Sequence, residues 1–185
     1  MAMLWINKMT YSHFDHRHKF AAWCAARAVQ RNFAKTLILK NALEKSGVVE
    51  FVKENEEKDI SQSDFDKYHE SWCESIMQTW ERDEIKGVSY GRAAKLLAVY
   101  IKSMIVVRNG QSKLSAVAHP PIDRMILKNI SNDEGIKHQN RTGWKEINWT
   151  KMNKSEYKNL INDFRQVLSG QPLWVIEKYW PITND

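Results

Sequence analysis

The spacing of apolar residues is helical along nearly the whole chain. Between Ser63 and Arg82, large apolar side chains recur every three or four residues, which places them on one face of a helix. The segment from Tyr90 to Val107 is apolar around most of its circumference, which is typical of a helix at the centre of a fold. No segment has the alternating pattern of a strand. The sequence therefore predicts an all-α fold.

The length of the chain suits one compact helical domain. Its 185 residues can bury a substantial core. Two arrangements remain open: a single domain over residues 1–185, or two packed lobes made of residues 1–84 and 85–185.

Further helices are predicted on both sides of the central segment. An Ala-rich helix is expected from Asp15 to about Asn32, with Phe20 and Trp23 on its buried side. A second helix is expected to be capped by Thr36 and to end near Gly47. The three other predicted elements are a helix entered through Pro120 and Pro121 that runs to about Ile130, an amphipathic helix over Lys154–Leu168 and a short helix over Leu173–Tyr179.

Charge is unevenly distributed along the chain. Residues 1–49 carry eight basic and two acidic side chains, residues 50–84 carry four and twelve, and residues 85–130 carry eight and one. Two basic segments thus flank an acidic one, within a net charge of +6. If the basic segments fold onto a common side, they form a surface that attracts a polyanion such as DNA.

Neither the cysteines nor the hydropathy indicate secretion or membrane insertion. Cys24 and Cys73 lie far apart and show no C-x-x-C spacing, so we expect two reduced thiols in a cytoplasmic protein. The first residues lack the apolar core of a signal peptide. The most apolar helix is interrupted by Lys95 and Lys102, so no contact with a membrane is expected.

Asp123 is the only acidic residue between Ile85 and Ile130. Its predicted place in the first turn of a helix offers a purely local explanation, because helix amides and the helix dipole favour a carboxylate there. The basic surroundings offer a second one. A single carboxylate on a surface that attracts phosphates opposes binding in part, so its presence points to a chemical role.

Two short motifs carry a resemblance to a known family. Gly87-Val88-Ser89-Tyr90-Gly91-Arg92 resembles the glycine hairpin of helix–hairpin–helix DNA glycosylases, and Pro121-Ile122-Asp123-Arg124 resembles their proline–hydrophobic–aspartate segment. The order is the same, and the match covers about forty residues. The stretches "HRHKFAAWCAARAVQR", "GRAAKLLAVYIK" and "HPPIDRMIL" are also similar to small bacterial antiphage DNA glycosylases that excise glucosylated hydroxymethylcytosine.

The resemblance implies a helix-hairpin-helix-like element around the glycine-containing turn 87–91, a catalytic aspartate and a DNA partner carrying a modified base. The chain departs from the family in two ways. Three residues separate Gly87 from Gly91, where the family has one, and the first lysine after the hairpin is Lys95, which lies further along the helix than the lysine of bifunctional members. A monofunctional enzyme that acts through Asp123 and needs no cofactor is therefore implied. The residues expected to bind DNA or the flipped nucleotide are Arg92, Lys95, Lys102, His119, Arg124, Trp144 and Trp149.

Three other interpretations stay open at this point. The first is a non-catalytic helical DNA-binding or defence-associated adaptor, in which Asp123 only stabilises its helix. The second is a protein-interaction module whose acidic segment, residues 50–84, docks a basic partner. The third takes "SHFDHRH", residues 12–18, as a metal site. No second cluster completes a tetrahedral ligand set, so no metal is expected.

Overall fold

The computed structural model describes residues 11–56 and 58–181, and all regular secondary structure within them is helical, as the sequence predicts. A π-helical turn (Lys102–Val106) continues the fifth helix, and three 3-10 segments lie in the C-terminal part (Arg141–Glu146, Trp149–Lys151 and Leu173–Tyr179). The α-helices of these residues are α1 (His13–Val29), α2 (Thr36–Lys45), α3 (Val48–Asn55), α4 (Gln62–Arg82), α5 (Tyr90–Ile101), α6 (Lys113–Val117), α7 (Arg124–Asn132) and α8 (Lys154–Leu168).

Helix α5 lies at the centre of the fold. It contacts α1, α2, α4 and α8, and nine of its twelve residues are buried. A single hydrophobic core includes residues on both sides of position 84, among them Trp80 and Leu97. The division of residues 1–185 into one domain or two lobes stays a prediction. So does the helix–hairpin–helix element.

The face on which α1 packs differs from the predicted one. Ala21, Ala22, Ala25, Ala26 and Val29 are its buried residues, and through this face α1 packs against α5. The prediction that Phe20 and Trp23 are buried is wrong, since their side chains are 61% and 53% exposed. The apolar spacing marks two faces of this helix. The alanine face is the one that packs on α5, because alanines let two helix backbones approach closely and bring more atoms into contact.

Several predicted helix ends are also corrected. Ser12, together with Asp15, forms the capping box of α1. Lys35 stands at the cap of α2 without a side-chain bond, while the Thr36 hydroxyl donates to Gln30 instead. Pro120 and Pro121 precede α7 and do not occupy its first turn. The short helix α6 lies between the two helices predicted over 90–107 and 120–130, where no helix is predicted.

Carboxylates of the acidic segment are paired with basic side chains of the same chain. Asp66 accepts from Arg165, Glu70 pairs with Lys154 and Lys158, and Glu56 pairs with Arg17 and Arg108. These ion pairs connect α3 and α4 to α1, to α8 and to the segment that follows α5. Part of the acidic charge is thus used inside the fold, where a basic partner would have to compete for it.

Candidate active site

Asp123 is the N-cap of α7. Its Oδ1 accepts the backbone amides of Met125 and Ile126 at 2.9 and 3.0 Å. The extended backbone of the cap (φ −145°, ψ 174°) turns the side chain back over the first turn, where helix amides lack partners within the helix. One carboxylate oxygen therefore holds the helix, and the other is left to face α5.

The other oxygen faces Lys95. Its Nζ lies 3.4 Å from Asp123 Oδ2 and 4.4 Å from the centroid of the Trp149 ring. The lysine and aspartate side chains are only 11% and 19% exposed. Burial lowers the pKa of Lys95, and the neighbouring carboxylate opposes that shift. An amine, a carboxylate and an indole thus meet at one point.

A second ion pair lies beside the first. Lys102, at the start of the π-helical turn, pairs with Glu177 of the last 3-10 segment and lies 5.3 Å from the ring centroid of Trp180. Burial raises the pKa of Glu177; the Lys102 ammonium opposes the shift and the charge of Asp123 adds to it. Neither Glu177 nor Trp180 is among the site residues that the sequence predicts.

The two pairs line one cleft of about 310 Å³. Helix α1 contributes Ala28, α5 contributes Lys95 and Val99, and the chain before α7 contributes Pro121. Such a volume lies at the small end of the range for ligand pockets. The cleft is lined by Ala28, Lys95, Val99, Lys102, Ser103, Pro121, Asp123, Ile126, Glu177 and Trp180.

Two of the predicted DNA-binding arginines do not line this cleft. The Arg92 guanidinium lies 4.2 Å from the ring centroid of Phe33, and its Nε is buried with no hydrogen-bond partner among the described residues. Arg124 begins α7 and is exposed. Of the predicted DNA-binding residues Arg92, Lys95 and Lys102, the two lysines therefore reach the cleft, whereas the arginine packs on an aromatic ring.

The two predicted tryptophans have different surroundings. Trp144 is 2% exposed, its Nε1 donates to Asp163 at 3.2 Å, and its ring packs edge-on against Phe164. A ring so enclosed has no free face for a base. Trp149 is partly buried and supports Lys95, so it acts on the cleft through the lysine.

His119 belongs to a separate buried cluster. Its Nε2 lies 3.0 Å from Asp66 Oδ1, and its Nδ1 lies 3.2 Å from the Tyr157 hydroxyl, which is 3.4 Å from Nε2 of His69. Burial lowers the pKa of His119 and, further, that of His69. A cavity of about 520 Å³ opens beside these groups. Since His119 lies four residues before Asp123, the cluster fixes the segment that leads to the cap.

Gly91 of the predicted hairpin has a packing role. A Cβ built on it would lie 2.0 Å from the backbone oxygen of Trp149, and its amide donates to the Met152 carbonyl at 3.0 Å. Ser89 in addition donates to the Thr150 carbonyl. Close backbone contact thus holds segment 149–152 against the start of α5, which places the Trp149 ring beside Lys95.

Glu177 lies 54 positions after Asp123 in the sequence. No periodic relation connects the two carboxylates, and they share the cleft only because the last 3-10 segment packs on α7 and α8. The one sequence signal was the cluster of aromatic residues near the C-terminus, which is also an ordinary signature of a core.

Metal binding and membrane insertion find no support in the described residues. Nowhere in 11–56 or 58–181 do three His, Cys, Asp or Glu side chains group in a way that could hold a metal ion. No helix in these ranges combines the length and the apolar character needed to cross a membrane. Comparison of the chain with protein-family models, with curated proteins and with solved structures finds no match.

Proposed function

We propose that the protein is a monofunctional DNA glycosylase that hydrolyses the N-glycosidic bond of a modified base. The observation that carries the proposal is the cleft in which Asp123 and Glu177, each beside a lysine amine, share one small volume. Two carboxyl groups in different environments suit a reaction that needs both an acid and an anion.

Asp123 is the residue that acts on the sugar. When the bond between the base and C1′ breaks, positive charge develops on the sugar ring, and a fixed carboxylate next to it stabilises that charge. Asp123 is held in place by two amides through Oδ1. Its orientation therefore requires little reorganisation during the reaction, and Oδ2 is the oxygen that faces the cleft.

Glu177 is the residue that acts on the base. The electron pair of the broken bond stays with the base, so a proton delivered to the base stabilises its departure. Burial raises the pKa of Glu177, which keeps this carboxyl protonated at a higher pH than an exposed glutamate. A water oxygen then bonds to C1′. One proton of this water passes to Asp123 and onward to solvent, and solvent reprotonates Glu177.

The size and the walls of the cleft restrict what enters it. A base within a duplex is inaccessible, so the nucleotide must rotate out of the stack before it can reach Asp123. Trp180 is 47% exposed at the cleft and offers an aromatic face to such a base. Both cleft lysines are already paired with carboxylates, so they orient these groups more than they attract phosphates.

One observation favours a second candidate function. The bonds from Asp123 Oδ1 to Met125 and Ile126 explain the aspartate as a helix cap with no chemistry at all. This is the non-catalytic DNA-binding or defence-associated adaptor. It has the same DNA affinity with or without the charge of Asp123 and releases no base.

A base-release assay tests the proposal. Wild type, Asp123→Asn and Glu177→Gln are incubated with unmodified DNA and with DNA that carries methylated, oxidised, deaminated or glucosylated hydroxymethyl bases, and abasic sites and free bases are measured. We expect wild type to release one modified base, Asp123→Asn to release none, and Glu177→Gln to be slower by about 100- to 10,000-fold, the usual contribution of a general acid.

The matched control is Asp64→Asn, which removes a first-turn aspartate of α4 that pairs with Lys67 away from the cleft. It should release the base at the wild-type rate. Salt titration of DNA binding gives a second readout, because phosphate contacts make affinity fall steeply with salt. Equal DNA binding by wild type and Asp123→Asn, without release of any base, establishes the adaptor; salt-independent binding argues against both functions.

A further inference from the structure

An open groove of about 460 Å³ lies along the N-terminal half of α1. Every residue that lines it is aromatic or basic. We call it the aromatic groove, and it is formed by Tyr11, His16, Arg17, Lys19, Phe20 and Trp23.

The aromatic rings of the groove are available to a ligand. Tyr11, Phe20 and Trp23 are 58%, 61% and 53% exposed, which is unusual for three large apolar side chains within one groove. The Phe20 and Trp23 rings lie 6.3 Å apart at an interplanar angle of 33°. Lys19 Nζ lies 4.5 Å from the centroid of the Tyr11 ring. Flat faces and a cation therefore stand side by side.

Charge extends this pattern along the helix. No acidic residue occurs from position 16 to position 43, and His16, Lys19, Arg27 and Arg31 are exposed. Arg17 is the exception in the groove, because it is held by Glu56. A partner that is anionic and carries flat rings complements such a surface. Unpaired nucleic acid has both properties, since its phosphates meet the cations and its bases stack on the aromatic rings.

Two elements of the fold carry residues of both the groove and the cleft. Helix α1 carries the groove residues near its start and Ala28 of the cleft wall near its end. Trp23 and Ala28 are about 8 Å apart along the helix axis. In addition, Arg17 donates to the Met104 carbonyl, and Ser103 next to it lines the cleft.

We propose that the aromatic groove binds an unpaired DNA segment that flanks the nucleotide in the cleft, with its bases stacked on Phe20 and Trp23. The DNA partner rests on the proposed function. The groove specifies that the bound DNA is unpaired. Once the target base has left the duplex, the neighbouring bases lose a stacking partner, and the exposed aromatic rings take its place.

Binding of a fluorescein-labelled, unmodified oligothymidine tests this, because it needs no base release. Anisotropy is measured for wild type, Phe20→Ala/Trp23→Ala, Trp23→Phe, and Leu37→Ala, which removes a 65% exposed apolar side chain outside the groove. We expect the double variant to bind at least about tenfold more weakly, as the loss of a stacked base implies. Trp23→Phe and Leu37→Ala should bind within about twofold of wild type.

Stability and base release separate the possible failures. Removal of two exposed rings should leave the melting temperature nearly unchanged; a large drop would mean that the chain itself covers them and would overturn the proposal. The proposal would also be overturned if the double variant bound oligothymidine as tightly as wild type. The same holds if wild type bound anionic vesicles and not DNA, or if the double substitution abolished self-association of the protein. If the double variant loses oligothymidine binding while wild type releases no base from any DNA, the groove stands and the glycosylase does not.

Discussion

Lys95 Nζ lies 3.4 Å from Asp123 Oδ2, and both side chains are largely buried in the same cleft. Lys95 and Asp123 are 28 positions apart in the sequence, yet the packing of α5 and α7 brings the amine to the aspartate. The distance along the sequence therefore does not separate Lys95 from the chemistry that we propose.

Substitution of Lys95 tests the monofunctional mechanism. We expect borohydride to trap no covalent complex between wild type and modified DNA, because Lys95 serves to orient Asp123. Lys95→Gln should still release the base, at a rate reduced by up to about 100-fold, the cost of a misplaced catalytic group. A trapped complex that forms with wild type and disappears in Lys95→Gln would mean that the amine attacks C1′ and that the enzyme is a lyase.

Asp123 can be divided into its capping and charge contributions. Asparagine caps helices about as well as aspartate, while alanine costs about 0.5–2 kcal/mol. Asp123→Asn and Asp123→Ala both remove the ion pair with Lys95, so the difference in their free energies of unfolding reports the cap alone. We expect Asp123→Ala to be the less stable of the two in urea unfolding, and equal stability would contradict the two amide bonds.

Gly91→Ala should destabilise the protein by about 1–3 kcal/mol, as overpacking does. The new Cβ would lie 2.0 Å from the Trp149 backbone oxygen, so segment 149–152 must move. The movement also displaces the ring beside Lys95, and base release should fall with it. Gly143→Ala is the control, since a Cβ there meets nothing within 4 Å. Thermal unfolding of both variants is the measurement.

The buried histidines predict a stability that decreases on the acid side of neutrality. Burial lowers the pKa values of His69 and His119, so each remains neutral in the folded protein while it gains a proton in the unfolded chain below about pH 6.5. The histidines therefore reduce the free energy of unfolding only below that pH, and we expect it to decline as pH falls through this value. Urea unfolding from about pH 8 to about pH 5 measures the decline.

Glu177 affects stability in the opposite direction as pH falls. Its pKa is raised in the folded state, so its contribution to stability is present at low pH and is lost as pH rises through the folded value. Glu177→Gln removes this contribution and should steepen the decline. A stability that stays flat from about pH 7.5 to about pH 5.5 would contradict the buried neutral state of His69 and His119.

The sequence predicts the bounds of α8 well and the faces of α1 poorly. Lys154–Leu168 has the predicted bounds because its apolar residues leave one face only. In α1, alanines and large aromatic residues mark competing faces, and periodicity does not say which one packs on α5. The choice depends on the shape of the partner helix, which becomes known only with the structure.

The candidate site divides in the same way. Lys95, Lys102 and Asp123 could be found from the sequence, because a single acid among many basic residues is visible there. Glu177 could not, since its proximity to Asp123 depends on how the C-terminal 3-10 segment packs. The burial of Trp144 was equally hidden, because the sequence near it is polar and its contacts with Phe164 and Asp163 come from α8.

The alanine face of α1 sets a dimension of the molecule as well as its packing. Alanine side chains make up most of the buried face through which α1 packs on α5, and these two helices carry Ala28 and Lys95 on the walls of the cleft. The width of the cleft therefore depends on core side chains that do not line it. A single buried alanine replaced by valine would spread the two helices and enlarge the opening while every lining residue stayed the same. The range of admissible substrates can thus evolve from the interior outward.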